Sequence, residues 1–340
     1  MARAITFGEI MMRLATPGRL RFVQATQFDV TYAGGEANVA VSLANFGMDA
    51  AFVTRVPSNP FGDAVVRNLR AAGVDTSLIT RGGDRLGVYF LETGASQRAS
   101  VVVYDRANSA ISQVKPGDFD WEGIFAGASW FHFTGITPAL GPSVAAATLE
   151  ACQAAKAAGL TVSCDLNYRK KLWSPNEAQV CMSQLMPFVN VAIGNEEDAE
   201  KVFGIKAAGS DVSAGSIGGV GYETVARTLS DRFGMQSVAI TLRESRSADD
   251  NGWSAILLDQ GTVHHSRKYD IHVVDRVGGG DSFAGGLIYG LLTGRPAKDA
   301  LEFAVAASCL KHTISGDANL VSVAEVEALM RGDGSGRVQR

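Results

Sequence analysis

From about residue 128 the chain alternates short apolar runs with longer amphipathic ones, and this rhythm leaves few folds open. The runs at 129–133, 161–165, 189–193 and 237–242 read as strands, and those at 142–158, 176–186, 195–203 and 222–234 as helices. Strands separated by helices cannot pair as hairpins. They line up in parallel, and a parallel sheet has to be covered by helices on both faces. Ligands of such sheets sit outside the carboxyl ends of the strands. Two further strands around 253–265 lead to a glycine cluster and to helices near 280–292, 297–313 and 322–330. The first third breaks the rhythm. A buried strand at 4–10 and a small-residue helix at 36–47 enclose extended stretches within 11–33, and Val- and Tyr-rich strands follow at 87–93 and 99–104. These pieces are expected to form a small accessory sheet, a lid beside the main body.

The sequence has 340 residues, of which 46% are hydrophobic and 19% charged, enough apolar mass for a large α/β core. The expectation is one domain over 1–332, with lid strands drawn from about 11–33 and 87–106. A linker-like loop is expected at 207–221 and a frayed tail at 333–340. A net charge of −4 gives no basic footprint for nucleic acid, so an anionic ligand must be held by local features. Cys152, Cys164, Cys181 and Cys309 are scattered and fit reduced, buried thiols. No long apolar run marks a secretory leader or a membrane span, which makes the expected location cytoplasmic. The five histidines lack metal-ligand spacing, and His264 and His265, adjacent in a strand, point to opposite faces.

The richest stretch is Asp275-Arg276-Val277-Gly278-Gly279-Gly280-Asp281, followed by a small-residue helical run. Glycines let backbone N–H groups turn toward one point, and a helix start adds partial positive charge. Gly278, Gly279 and Gly280 are thereby expected to form an anion hole for a moving phosphoryl group. Asp281 at the helix entrance can accept a proton from an attacking hydroxyl. A plain glycine turn with a capping aspartate is the alternative. No Lys-Ser/Thr pair follows the glycines, so this is not a Walker A loop. A dinucleotide fingerprint after the first strand is lacking too.

The pattern Asp275-x-x-Gly278-x-Gly280-Asp281, late in the chain, resembles a signature of the ribokinase-like (phosphofructokinase-B type) carbohydrate kinases. Gly34-Gly35-x-x-Asn38 resembles that family's N-terminal signature. Arg276 and Gly279 depart from the family's usual Thr and Ala. The resemblance implies a three-layer fold with a mostly parallel sheet covered by helices, plus a small β-sheet lid. It implies ATP and Mg2+ as cofactors, with a monovalent cation near Asp275 as a further possibility, and lid sheets that pair in a homo-oligomer. Four segments look most like the 2-keto-3-deoxygluconate kinases within the family: Gly8–Leu14, Tyr104–Ala110, Asp165–Arg169 and Gly316-Asp317. A sugar acid carries a carboxylate, which arginine grips through paired hydrogen bonds. The implied sugar-acid contacts are Gly34, Gly35, Asn38, Tyr89, Tyr104, Arg106, Arg169 and Asp317. Nucleotide contacts would come from Asn167, Asn195, Thr241, Arg243, Gly278 and Gly280. Asn195 and Asp198 would organise the metal through water, with Asp198 where the family has Glu.

Each of these has a simpler reading. Arg106 could be an exposed cation, Arg169 part of a solvated Arg-Lys-Lys loop, and the tyrosines lid core. Arg243 could be a surface cation, and Asn195 and its acids a helix cap. Rival functions are a fructokinase- or ribokinase-type kinase, or a sugar-binding regulator of the same fold.

Overall fold

The computed structural model describes residues 2–205 and 219–334. Its strands are β1 (Arg3–Phe7), β2 (Met11–Ala15), β3 (Asp29–Ala33), β4 (Asp49–Val56), β5 (Ile79–Arg81), β6 (Gly87–Glu92) and β7 (Val101–Asp105). They continue as β8 (Ala128–Thr134), β9 (Thr161–Asp165), β10 (Val191–Gly194), β11 (Ser237–Ser245), β12 (Asp250–Asp259), β13 (Thr262–His265) and β14 (Tyr269–His272). The large sheet runs β13-β12-β11-β10-β9-β8-β1-β4-β5, with β14 also on β12. From β11 to β5 every pairing is parallel, and β12 to β14 add an antiparallel edge.

Helices cover both faces because the strands are apolar on both. In β8, Phe131 and Phe133 enter the core on one face, with Val162 and Cys152, while Trp130 enters the other. In β10, Ala192 joins the first face, and Val191 and Ile193 the second. The second face is closed by the helix Gly279–Leu292, whose Phe283, Leu287 and Ile288 are fully buried. Each contributes roughly 1.5–3 kcal/mol through lost contact with water. That helix lies close on Ala297–Lys311, because Gly286 and Gly290 leave room for Ala304 and Ala300.

The chain leaves β1 through the small sheet and resumes at β4 on one side of β1. It then crosses to β8 on the other side and marches outward. Strand order therefore reverses between β1 and β8, where parallel sheets open a crevice. The small sheet, ordered β3-β2-β6-β7, stands over that crevice. Its register puts Thr31, Arg13, Tyr89 and Tyr104 in one row, on the cleft side. The opposite face carries the row Val30, Leu14, Phe90 and Val103, with Val30 52% and Val103 48% exposed.

The expected elements from residue 128 onward are all present within a few residues. The sequence reading assigned nothing between residues 48 and 86, where the structure has β4, the helix Pro60–Ala71 and β5. It also missed β14 and the short helix Trp121–Phe125. The loop expected at 207–221 falls outside the described residues up to 218, and the helix Gly219–Phe233 starts earlier than expected. Of the tail expected at 333–340, residues 335–340 lie outside them. All four cysteines are free thiols. Among the described residues, no helix is long and apolar enough to cross a membrane.

Candidate active site

The crevice is a cleft of about 570 Å³ at the carboxyl ends of β8 to β11, roofed by the small sheet. Every site residue expected from the sequence lines it. Gly34, Gly35, Asn38, Tyr89, Tyr104, Arg106, Arg169 and Asp317 meet Asn167, Asn195, Asp198, Thr241, Arg243, Gly278, Gly279, Gly280 and Asp281.

The helix Gly279–Leu292 opens into the cleft. Its N-cap, Gly278, is left-handed (φ 80°), and a Cβ there would overlap the backbone carbonyl of Asp317. Only glycine meets both demands. The amides of Gly278 and Gly280 have no partner within the described protein and are free for an anion. Gly279 departs from the expectation. Its amide bonds back to the Arg276 carbonyl at 3.3 Å, and its α-carbon abuts the His312 ring. The expected three-amide hole therefore narrows to Gly278 and Gly280.

Asp281 is the third residue of this helix. Asn38 Nδ2 donates to its Oδ2 at 2.7 Å, joining the early glycine signature to the late one. Desolvation pushes its carboxyl up to about 6, against the Asn38 bond and the positive charges of Arg169 and Lys311. At neutral pH it remains mostly ionised, with raised basicity. The helix Gly35–Asn45, which carries Asn38, is anchored by Glu36. Its Oε1 accepts from Thr134 N at 2.9 Å, Thr134 Oγ1 at 2.8 Å and Thr137 Oγ1 at 2.5 Å. Full burial outweighs these donors and pushes Glu36 up to about 7.

At the lid end, Arg106 is not the exposed cation of the simpler reading. It is ion-paired with Glu9 and lies over the Tyr104 ring at 5.5 Å, and its Nε is buried without a partner. Ser109 Oγ donates to the other Glu9 oxygen at 2.7 Å. Tyr104 is 38% exposed and tilts over Tyr89, 5.9 Å between centroids. Tyr89 is buried and donates to Asp317, which is also ion-paired with Arg13. Arg13 reaches Asp275 Oδ2 at 2.5 Å as well, so the lid is pinned to the main body by a buried Asp-Arg-Asp bridge. Arg169 is exposed and still lines the cleft.

At the sheet end, Asn195 and Asp198 form a reciprocal helix cap. Asp198 N donates to Asn195 Oδ1 at 2.8 Å, and Asn195 N to Asp198 Oδ2 at 3.1 Å. Tyr168 N takes the other Asp198 oxygen at 2.9 Å. Capping is thus what these side chains do in the protein itself. Asn167 holds a left-handed backbone (φ 39°), unusual for a non-glycine residue and frequent at functional sites. Asp165, at the end of β9, is raised by burial and by the nearby negative charges of Asp198 and Asp281. Among the described residues, no group of three or more His, Cys, Asp or Glu forms a ready metal cage. Arg243 is exposed at the mouth, beside Trp253, and Arg276 reaches the Ala248 carbonyl at 3.4 Å.

Sequence reading missed Glu9, Arg13, Glu36, Asp165 and Lys311. Glu9 and Arg13 fall inside Gly8–Leu14, but the signal there was family likeness, with no spacing that assigns a role. Of the histidines, His132 bonds Ser163 at 2.8 Å in the core, and His265 pairs with Glu223 at 3.0 Å.

The model of the pfkB family of carbohydrate kinases matches residues 1–323. A curated relative named 2-dehydro-3-deoxygalactonokinase, from Haloferax volcanii, is 33% identical over 335 residues, 98% of each chain. One named 2-dehydro-3-deoxygluconokinase, from Bacillus subtilis, is 29% identical over 92% of this chain and 90% of its own. Among solved structures, a 2-dehydro-3-deoxygluconokinase from Thermotoga maritima superposes with a TM-score of 0.94 at 53% identity, over 98% of this chain and all of that one.

Proposed function

The chain belongs to the pfkB family of carbohydrate kinases, and from that premise we propose that it transfers the γ-phosphoryl group of ATP to the 6-hydroxyl of 2-keto-3-deoxygluconate. The observation that carries this reading is Asp281, held by Asn38 at 2.7 Å beside the free amides of Gly278 and Gly280. In this arrangement Asp281 takes the hydroxyl proton while the amides neutralise charge on the transferring group. The sugar acid lies between Gly34, Gly35 and Asn38 on one side and Tyr89, Tyr104 and Asp317 on the other. Its carboxylate faces Arg106, whose buried Nε lacks a partner, and Arg169. The names of the relatives from Haloferax volcanii, Bacillus subtilis and Thermotoga maritima support this substrate class.

The nucleotide would extend along Asn167, Asn195, Thr241 and Arg243 toward Gly278 and Gly280. Burial and the neighbouring charges of Asp198 and Asp281 raise the proton affinity of Asp165, a charge excess that a divalent cation would relieve. This fits Mg2+ held near Asn195 and Asp198 through water, where the metal supplies charge neutralisation to the phosphates. The lid closes over the sugar and excludes water, which protects ATP from hydrolysis. Residues 1–332 would act as one kinase unit. A second copy would cover the apolar outer face of the lid around Val30 and Val103, and light scattering would detect that dimer.

The test is ADP release with 2-keto-3-deoxygluconate, its C4 epimer, fructose and ribose, with the phosphate position read by phosphorus–proton NMR. Faster turnover on a neutral sugar than on either acid would refute the substrate, and a product phosphorylated elsewhere than O6 would refute the position.

A further inference from the structure

Behind the glycine loop lies a buried cation outside the proposed chemistry. Lys311 ends the helix Ala297–Lys311 and is 0% exposed. Its ammonium donates to the Asp275 carbonyl at 3.0 Å and to the Val277 carbonyl. Both carbonyls belong to the loop that sets Gly278 and Gly280. The same helix end grips this loop at three more points. The His312 carbonyl accepts from Val274 N at 2.8 Å and Asp275 N at 3.2 Å, and Ser308 Oγ donates to the Gly279 carbonyl at 2.7 Å.

A loop that turns amides toward an anion on one side turns carbonyls to the other, and converging carbonyls make a cation cradle. A buried ammonium is costly unless it is compensated. Burial lowers the proton affinity of Lys311, and the negative end of its own helix and the charges of Asp275 and Asp317, shared with Arg13, offset part of that cost. The resemblance implied a monovalent cation near Asp275; the structure has a protein ammonium on the Asp275 carbonyl.

We propose that Lys311 is a tethered monovalent cation, a positioning residue that holds the carbonyls of Asp275 and Val277 so that the Gly278 and Gly280 amides face the phosphoryl group without a free ion. Lys311 does not line the cleft and acts through the loop, while its charge also favours the ionised form of Asp281. Its kinetic consequence rests on the kinase reading above.

The first arm uses the unaltered protein, assayed at fixed ionic strength in potassium, ammonium or tetramethylammonium chloride. The expected rates agree within about threefold, because the cradle is filled. In the second arm Lys311→Ala vacates it. The expected loss in kcat in tetramethylammonium is about tenfold or more, below the ~10²–10³ for losing a donor that touches the reacting group, with KM for the sugar little changed. Potassium or ammonium should recover at least about threefold of that loss and raise the melting temperature of the variant, as a ligand of the native state does. Tetramethylammonium, too large for the cradle, should do neither.

A wild-type rate that rises well beyond threefold with potassium overturns the proposal. So does a Lys311→Ala variant with full kcat in tetramethylammonium, or a deficit that no cation repairs. If Lys311→Ala does not fold, the wild-type arm decides on its own, and Lys311→Met, which keeps the length without the charge, repeats the second arm. The melting arm needs no sugar, so absence of turnover on every sugar refutes the kinase reading and leaves Lys311 to the melting data.

Discussion

Asp281→Asn separates catalysis from stability, because the two should move in opposite directions. The variant keeps the side-chain shape, and the new amide oxygen can still accept from Asn38, preserving the 2.7 Å link between the two glycine-rich segments. It removes the base, for which the expected loss in kcat is ~10²–10⁴. It also removes a charge that the site carries at a cost. Desolvation raises the carboxyl from 3.8 to about 6, worth ~3 kcal/mol at neutral pH. Solvent at this partly exposed group reduces that to about 1–2 kcal/mol. The folded protein binds this proton more tightly than the unfolded chain, so stability falls as pH rises from about 4 to about 6 and stays lower above. Asparagine has no such penalty. At pH 7.5 the variant should melt a few degrees higher while turnover collapses. A coupled ADP assay and a thermal scan on the same preparation measure both. A kcat within about tenfold of wild type would refute the catalytic role, and a large drop in melting temperature would refute the desolvation account.

The base must be ionised, so kcat/KM should fall about tenfold for each pH unit below about 6; a flat profile down to pH 5 would count against Asp281. Arg106→Ala should raise KM for the sugar acid by about 10–100-fold, the worth of a charge-assisted hydrogen bond, and leave any neutral-sugar turnover little changed. Steady-state kinetics on both substrate types would show an equal effect if Arg106 only braced Glu9. Gly278→Ala forces a left-handed alanine against the Asp317 carbonyl and should cost more than ~2 kcal/mol together with most activity; a denaturant melt with an unshifted midpoint would contradict the geometry.

The architecture was readable from residue 128 onward because strands buried on both faces, separated by amphipathic helices, leave a strong periodic signal. Residues 49–56 form an equally buried strand, yet Asp49 and Arg55 at its ends interrupt the apolar run that would have marked it. The cleft residues were legible where glycine clusters stand out in the sequence, among them Gly34, which packs on the Glu9 carbonyl, and Gly278, which is left-handed. They were not legible where the role depends on a distant partner. Arg13 matters because it meets Asp275 and Asp317, more than 260 residues away, and Lys311 because helix packing buries it against a loop. Gly279 shows the opposite error: three glycines in a row read as three free amides, and only the structure shows one turned back to Arg276.

A crystal structure with a non-hydrolysable ATP analogue and 2-keto-3-deoxygluconate bound together tests the central claim most directly. The account predicts the 6-hydroxyl within hydrogen-bond distance of Asp281, with the terminal phosphate on the amides of Gly278 and Gly280. A sugar bound with a different hydroxyl toward Asp281, or a phosphate lying away from the helix mouth, would contradict it.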